Sequence, residues 1–127
     1  MNKLKNAITW FDIPVTDIER ATKFYESLFD IELQQLSFGN GLKLAIFPVE
    51  EGTVSGALSL HPDHYTPSKT GSLVYLNGNP DLQIILDKVE PNGGKILLPK
   101  SMISDHWGYM ALFEDTEGNR IALHSAK

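Results

Sequence analysis

The sequence predicts an α+β domain in which one βαβββ module is written twice. An amphipathic helix follows the first strand, turn signals separate the strand-like segments after it, and this order then recurs. In the repeat, residues 10–13 align with 73–76, and residues 59–61 align with 122–124. Each half alone would bury only one face of a short sheet, so we expect the two halves to pair.

The first strand and helix have clear local signals. Residues 8–15 are rich in β-branched and aromatic side chains, which favour a strand. The following four residues form a capping box, in which the Thr16 hydroxyl is expected to accept from the third helical amide while Glu19 reaches back. Apolar residues then recur at the spacing of one helix face, so a helix is predicted from about residue 17 to 29.

Turn and strand signals define the rest of the chain. A polar, proline-containing connector is predicted at 62–70, and Gly118 is expected to adopt a positive φ in the last hairpin. A second helix is expected to be capped by Asn79, with Pro80 in its first turn and an apolar stripe from Leu82 to Val89. The remaining predicted strands are 31–38, 42–49, 54–61, 72–78, 95–98, 107–114 and 119–125.

Composition excludes several classes of protein. The 127 residues contain 11 Lys and Arg against 16 Asp and Glu, a net charge of −5, whereas nucleic-acid-binding faces are normally basic. There is no cysteine, which excludes disulfides, thiolate metal sites and a Cys nucleophile. No segment approaches the roughly 20 apolar residues of a membrane span, and no export signal is recognisable. We therefore expect a cytoplasmic protein with neither a nucleic-acid nor a membrane partner.

Two segments resemble the vicinal oxygen chelate superfamily, which includes glyoxalase-like lyases, extradiol dioxygenases and bleomycin-resistance proteins. One is residues 15–17 followed by the pairs at 24–25 and 28–29, and the other is residues 115–121. The resemblance covers nearly the whole chain in the right order.

The resemblance implies a fold and an assembly. It implies one glyoxalase-like domain with modules at about 1–64 and 70–127, whose eight strands form a cupped mixed sheet with helices outside. A ligand cavity inside the cup and a homodimer are also implied.

In this family a divalent metal is held by side chains on four strands. Trp has no suitable donor and fills the space of an ion and its waters, Leu and Ala have no donor, and Ser is a weak ligand. We therefore predict no metal and no other cofactor at the standard place. The resemblance places two of the four metal positions at Trp10 and Ala122, and the repeat alignment places the other two at Ser59 and Leu73.

His61 and His124 support an alternative, a displaced divalent metal site. In the repeat alignment each lies two residues beyond an empty metal position, on the same face of its strand. Asp12 or Asp63 would supply the third ligand, without which two imidazoles bind an ion weakly. The other interpretation is two strand-end histidines in contact with solvent and backbone.

Asp12 and His106 are the candidate acid–base residues. Asp12 shares a face with Trp10, and a carboxylate beside an indole in an apolar cup suits a general base. Its alternative role is to cap backbone or to pair with Arg120 or a lysine. His106 lies in the polar–aromatic loop 104–109, where it either contacts a ligand or acts as an acid–base group, or is a plain loop residue.

The favoured function is binding of a small organic molecule in the cup. Tyr75, the repeat partner of Asp12, offers an apolar face and a hydroxyl for such a pocket. One alternative is a lyase, isomerase or dioxygenase, with or without a metal, and another is a dimer that sequesters an antibiotic or toxin. The predicted ligand-binding residues are Trp10, Asp12, Tyr75, His106, Trp107 and His124.

Overall fold

The computed structural model describes residues 2–127, which form two successive βαβββ modules. Both the α+β class and the repeated element order are confirmed. Module one contains β1 (Trp10–Pro14), α1 (Ile18–Phe29), β2 (Gln34–Ser37), β3 (Lys43–Ile46) and β4 (Ser55–Leu60). Module two contains β5 (Val74–Asn77), α2 (Leu82–Leu86), a 3₁₀ helix (Glu90–Asn92), β6 (Lys95–Ser104), β7 (Gly108–Glu114) and β8 (Arg120–Ser125).

The eight strands form two mixed sheets of four strands each, in the orders β1-β4-β3-β2 and β5-β8-β7-β6. In both sheets the first strand of the module pairs in parallel with the last. β1 and β5 are therefore edge strands, and within residues 2–127 no backbone ladder joins them. The eight-stranded arrangement is thus interrupted between β1 and β5.

One face of each sheet contributes to a single hydrophobic core shared with the helices. On β1 the core residue Ile13 is 1 % exposed, whereas Trp10 lies on the opposite side, which we call the open face. The rings of Phe24 and Tyr25 on α1 lie 5.9 and 6.4 Å from the ring of Phe113 on β7. The core therefore spans both modules.

Helix α1 is capped differently from the prediction. Asp17 is the N-cap, and its Oδ1 accepts from the backbone N–H of Arg20 at 3.0 Å. The prediction that Thr16 caps the helix is wrong, because its hydroxyl donates to Glu117 Oε1 at 3.1 Å. Glu117 also accepts the backbone N–H of Thr16, so it takes the part predicted for Glu19.

Helix α2 also begins at a different cap. Asp81, not Asn79, is the N-cap, and its carboxylate accepts from the backbone N–H of Gln83 at 3.0 Å. The Asn79 side chain accepts instead from the backbone N–H of Ala126 at 2.8 Å. No helix within residues 2–127 is long and apolar enough to cross a membrane.

Strand β6 is longer than the predicted segment 95–98, because it continues to Ser104. Pro99 favours a loop in the sequence, since it has no N–H for a sheet ladder. β6 is the edge strand of its sheet, however, where a proline is tolerated. Register shifts against β7 accommodate the irregular segment that contains Pro99.

The Glu117 side chain joins the two modules. It belongs to the β7–β8 turn and is 0 % exposed. Its Oε2 accepts from Arg20 Nε at 2.7 Å, and its Oε1 accepts from the backbone N–H groups of Thr16 and Asp17 at 2.9 Å. Burial raises the pKa of this carboxyl, but the hydrogen bonds from Arg20, Asp17 and Thr16 outweigh burial and lower the pKa to about 2. The N-terminus of a helix also favours a negative charge.

Two further residues of this turn bind module one. The Tyr25 hydroxyl donates to Asp115 Oδ2 at 2.7 Å in the core, where burial raises the pKa of both groups. Asn119 Nδ2 donates to the backbone oxygen of Pro14, at the end of β1, at 2.7 Å. Gly118 has the predicted positive φ, 91°, which lets the chain reverse within the turn.

We predict that Glu117→Gln lowers the free energy of unfolding by about 2–3 kcal/mol near neutral pH, after allowance for the half-exposed Arg20. The pKa of Glu117 is about 2 in the folded protein against 4.5 as reference. The stabilisation by ionised Glu117 is therefore complete above about pH 4.5 and is lost as the pH falls from 4.5 to about 2. Urea unfolding at about pH 7 and about pH 3 measures the difference from wild type.

The control is Glu51→Gln, in an exposed turn of module one. We expect less than about 0.5 kcal/mol for this variant at either pH. A Glu117→Gln difference that is equally large at both pH values would contradict the assignment, because the predicted stabilisation depends on the ionised Glu117 carboxylate and decreases as that group is protonated.

Candidate functional site

Asp12 is a hydrogen-bond acceptor on the open face of β1. It accepts from Trp10 Nε1 at 3.1 Å, from the Ser59 hydroxyl at 2.7 Å and from the Tyr65 hydroxyl at 3.3 Å. Ser59 is 0 % exposed, so Asp12 satisfies a hydroxyl that is cut off from water. The alternative of a pair with Arg120 or a lysine is wrong, since Asp12 forms no ion pair among the described residues.

Tyr65 belongs to the connector, which we define as residues 61–73 between β4 and β5. Burial and the charge of Asp12 raise the pKa of the Tyr65 hydroxyl, which keeps it protonated as a donor. Farther along the connector, the backbone N–H of Ser68 donates to Asn119 Oδ1 at 3.0 Å. The connector is therefore held both to β1 and to the start of β8.

A groove lies between the edge strands β1 and β5, and we call it the seam groove. Its volume is about 770 Å³. Trp10 and Tyr75 line it from opposite modules and are 42 % and 52 % exposed. The lining residues are Ile8, Trp10, Phe11, Phe29, Ile31, Phe47, Pro48, Val49, Val54, Ser55, Ser72, Leu73, Val74, Tyr75, Leu76, Asn77 and Asn79.

A glycine on β4 shapes the module-one wall of the groove. The Phe11 ring lies over Gly56, where an added Cβ would collide with Phe11 Cδ2. The ring centroids of Phe11 and Phe47 are 5.7 Å apart. These two rings were not among the predicted site residues, although a glycine within a strand is a signal of such close approach.

His106, Trp107 and His124 form a second cluster, near the β6–β7 turn. A ring nitrogen of His124 lies 2.6 Å from the backbone oxygen of Trp107, and the rings of His106 and Trp107 meet edge to face at 4.7 Å. His124 is paired in register with Asn77 on β5. The cluster therefore adjoins the β5 wall of the seam groove without lining it.

The residues at the expected metal positions do not fit a divalent ion. Leu73 and Ala122 have no ligand atom, and the indole nitrogen of Trp10 donates to Asp12. Ser59 likewise directs its hydroxyl to Asp12. Within residues 2–127 no group of three or more His, Asp or Glu side chains is arranged to hold a metal ion.

The sheet register corrects the repeat alignment. Asp12 pairs with Ala57, and its repeat partner Tyr75 pairs with Ala122. Ala57, rather than Ser59, is therefore the counterpart of Ala122 in the sheet. When the first strands of the modules are aligned as in the sequence repeat, the last strands must be shifted by two residues from the predicted alignment.

The equivalence of His61 and His124 is wrong for the same reason, because the two-residue offset makes Ser59 the counterpart of His124. His61 lies beyond the end of β4, with its ring 4.5 Å from that of His64. Its Nδ1 accepts from the backbone N–H of Asp63 at 3.1 Å. The two histidines proposed for a displaced metal site thus have separate sets of partners.

A sequence model of the Glyoxalase/Bleomycin resistance protein/Dioxygenase superfamily matches residues 7–123. The chain belongs to this superfamily. A glyoxylase-like domain-containing protein from Didymella fabae is 33 % identical over 129 residues, with 94 % of each chain covered.

Solved structures of the superfamily share the fold. Glyoxalase I from Zea mays matches with a TM-score of 0.65 and 19 % identity, over 93 % of this chain and 45 % of its own. This chain therefore spans less than half the length of the maize protein. A glyoxalase/bleomycin resistance protein from Albidiferax ferrireducens matches with a TM-score of 0.66 and 17 % identity, over 93 % of this chain and 97 % of its own.

In this superfamily member, Asp12→Ala is predicted to loosen the connector. The change leaves the buried Ser59 hydroxyl without its acceptor, so the free energy of unfolding should fall by about 1–3 kcal/mol. Amide hydrogen exchange within residues 61–73 should become faster, because Tyr65 also loses its acceptor. Hydrogen-exchange mass spectrometry measures this directly.

The matched control is Asp63→Ala, an exposed aspartate within the same connector. Its exchange pattern should stay close to that of wild type away from the substituted residue. Unchanged exchange of the connector in Asp12→Ala would contradict an anchoring role for Asp12.

Proposed function

We propose that the chain binds a small organic molecule in the seam groove, with Trp10 and Tyr75 as the main contact residues. The observation that carries the proposal is the presence of two exposed aromatic rings on an apolar groove of about 770 Å³. Small-molecule pockets span roughly 300–1,000 Å³ and are lined mainly by apolar side chains. Ile8 and Val49, which are 56 % and 51 % exposed, extend the same apolar rim.

In this proposal Asp12 is a positioning residue. Its hydrogen bond with Trp10 Nε1 holds the indole on the β1 wall before a ligand arrives, which lowers the entropy lost on binding. A general base needs an acceptor atom free to face its substrate. Trp10 and Ser59 both donate to Oδ1 of Asp12 and Tyr65 donates to Oδ2, so neither oxygen is left without a donor, and this arrangement favours a positioning role for Asp12.

His106, Trp107 and His124 form an outer contact region in the proposal. His124 stands beside Asn77 on the open face, so a ligand longer than the groove would next meet this cluster. Trp107 is 64 % exposed and offers its ring to such a ligand.

Recognition without a metal is part of the proposal. The names of related proteins refer to glyoxalase, bleomycin resistance and dioxygenase functions. The side chains of Trp10, Leu73 and Ala122 lack the oxygen and imidazole donors that a divalent ion requires. The apolar groove is therefore the better-supported place for ligand recognition.

A homodimer in the cytoplasm, as expected from the sequence, completes the proposal, and native mass spectrometry measures the assembly.

Binding is tested with N-phenyl-1-naphthylamine, an uncharged aromatic dye whose fluorescence increases in apolar surroundings. We predict that Trp10→Ala and Tyr75→Ala each weaken dye binding at least about fivefold, because each removes a large apolar contact surface. Fluorescence titration gives the dissociation constants, and circular dichroism checks that the variants fold.

The matched control is Phe38→Ala, which removes an aromatic ring that is 49 % exposed and outside the groove. This variant should bind the dye as wild type does. Wild-type affinity in Tyr75→Ala and Trp10→Ala, or an equal loss in Phe38→Ala, would contradict binding in the seam groove.

Metal independence makes a separate prediction. Dialysis against EDTA should change neither the affinity for the dye nor the midpoint of urea unfolding. His61→Ala and His124→Ala should bind Zn²⁺ as weakly as wild type does in calorimetric titration. A loss of Zn²⁺ affinity of about tenfold or more in either variant would restore the displaced metal site.

A further inference from the structure

We infer that the seam groove selects uncharged aromatic molecules that carry a hydrogen-bond acceptor, such as an aryl ketone. The inference rests on the proposed function, because it concerns the ligand of the same groove. Three properties of the lining carry it: its lack of charge, its aromatic content and the orientation of two side-chain amides.

The lining has no charged side chain. None of the described residues along the groove is an Asp, Glu, Lys, Arg or His. Asp12, which accepts from Trp10 Nε1, lines an adjoining cavity of about 240 Å³ that shares Ser72 and Val74 with the groove. An anion entering the seam groove would lose hydration without gaining an opposite charge. A strongly hydrated ammonium group would gain only the aromatic ring faces and the Asp12 carboxylate beside Trp10, so an uncharged ligand is favoured.

Aromatic rings line both walls of the groove, and most of them belong to module one. Module one supplies an indole and three phenyl rings, and module two supplies the phenol of Tyr75. Flat apolar surfaces of this kind stack on or meet the edges of other aromatic rings. The lining aromatics are Trp10, Phe11, Phe29, Phe47 and Tyr75.

The amide of Asn77 has a defined orientation. Its Oδ1 accepts from the backbone N–H of Asn79 at 2.9 Å. A backbone N–H only donates, so the oxygen must face it and the NH₂ group must point elsewhere. Asn79 is oriented in the same way, because its Oδ1 accepts from the backbone N–H of Ala126 at 2.8 Å.

The two NH₂ groups make this end of the groove a donor of hydrogen bonds. Within the described part of the chain, neither the Asn77 nor the Asn79 Nδ2 has a hydrogen-bond partner. Asn77 follows Tyr75 by two residues on β5 and so shares the open face with it. A ligand whose ring lies against Tyr75 and Trp10 can therefore place a carbonyl oxygen at Asn77.

Four naphthalenes of similar shape test the selection by calorimetry. 2-Acetylnaphthalene carries the acceptor, and 2-isopropenylnaphthalene replaces its oxygen with a CH₂ group. 2-Naphthoate is anionic, and 2-naphthylmethylammonium is cationic. We expect the ketone to bind about three- to tenfold tighter than the alkene, and both ions to bind at least about tenfold more weakly than the ketone.

Asn77→Asp isolates the donor. The carboxylate keeps an oxygen for the Asn79 N–H but removes the NH₂ group, so the ketone should lose its advantage over the alkene. Asn40→Asp is the matched control, because Asn40 Oδ1 also accepts a backbone N–H, from Leu42, and lies outside the groove. Asn40→Asp should retain the preference for the ketone.

The outcomes separate the inference from the proposed function. Equal binding of ketone and alkene in wild type, with weaker binding of both in Trp10→Ala, overturns the ligand class and leaves groove binding intact. Tightest binding of either ion also overturns the ligand class. Failure of all four naphthalenes and of the dye overturns both. The protein could also be a dimer that dissociates in Tyr75→Ala but not on addition of the ketone. That result would show that a second copy covers the groove, and it would overturn both as well.

Discussion

Burial of the Glu117 carboxylate at the N-terminus of α1 is the constraint on which the arrangement of the two modules depends. A carboxylate removed from water is strongly unfavourable unless donors surround it. Arg20 and the backbone N–H groups of Thr16 and Asp17 are those donors. Because the donors belong to module one and the carboxylate to module two, separating the modules would leave both sides unpaired.

The same turn holds β1 and β5 together at one end of the seam groove. Asn119 donates to the backbone oxygen of Pro14, and β8 starts at the next residue and pairs with β5. β1 and β5 are thus held near each other at the Pro14 end through side chains, without a ladder of backbone hydrogen bonds. Toward Trp10 and Asn77 no hydrogen bond in the described chain joins the two strands, and the groove opens between them. A structural turn therefore creates the space that the proposed ligand occupies.

Local signals predicted most of the fold, because helix periodicity, strand alternation and turn residues act over a few positions. The extent of α1 and the positive φ of Gly118 are examples. Contacts between distant segments were not predictable: the acceptor of the Thr16 hydroxyl lies 101 residues away. The same limit applies to the site. The family resemblance placed Trp10 in the cup, and side-chain alternation placed Asp12 on the same face. The amide orientation of Asn77, however, depends on a backbone N–H whose position only the folded turn defines.

The open face explains how a repeated module produces an asymmetric site. In module one the carboxylate of Asp12 accepts hydrogen bonds from Trp10 and Ser59 of the same module and from Tyr65 of the connector. Module two has Tyr75 at the position equivalent to Asp12, and the amide nitrogen of Asn77 has no hydrogen-bond partner in the described chain. A metal shared between modules would need ligand atoms from both halves. An acceptor that is already occupied at Asp12 and a free donor at Asn77 fit the proposed ligand, which has an apolar body and a single acceptor end.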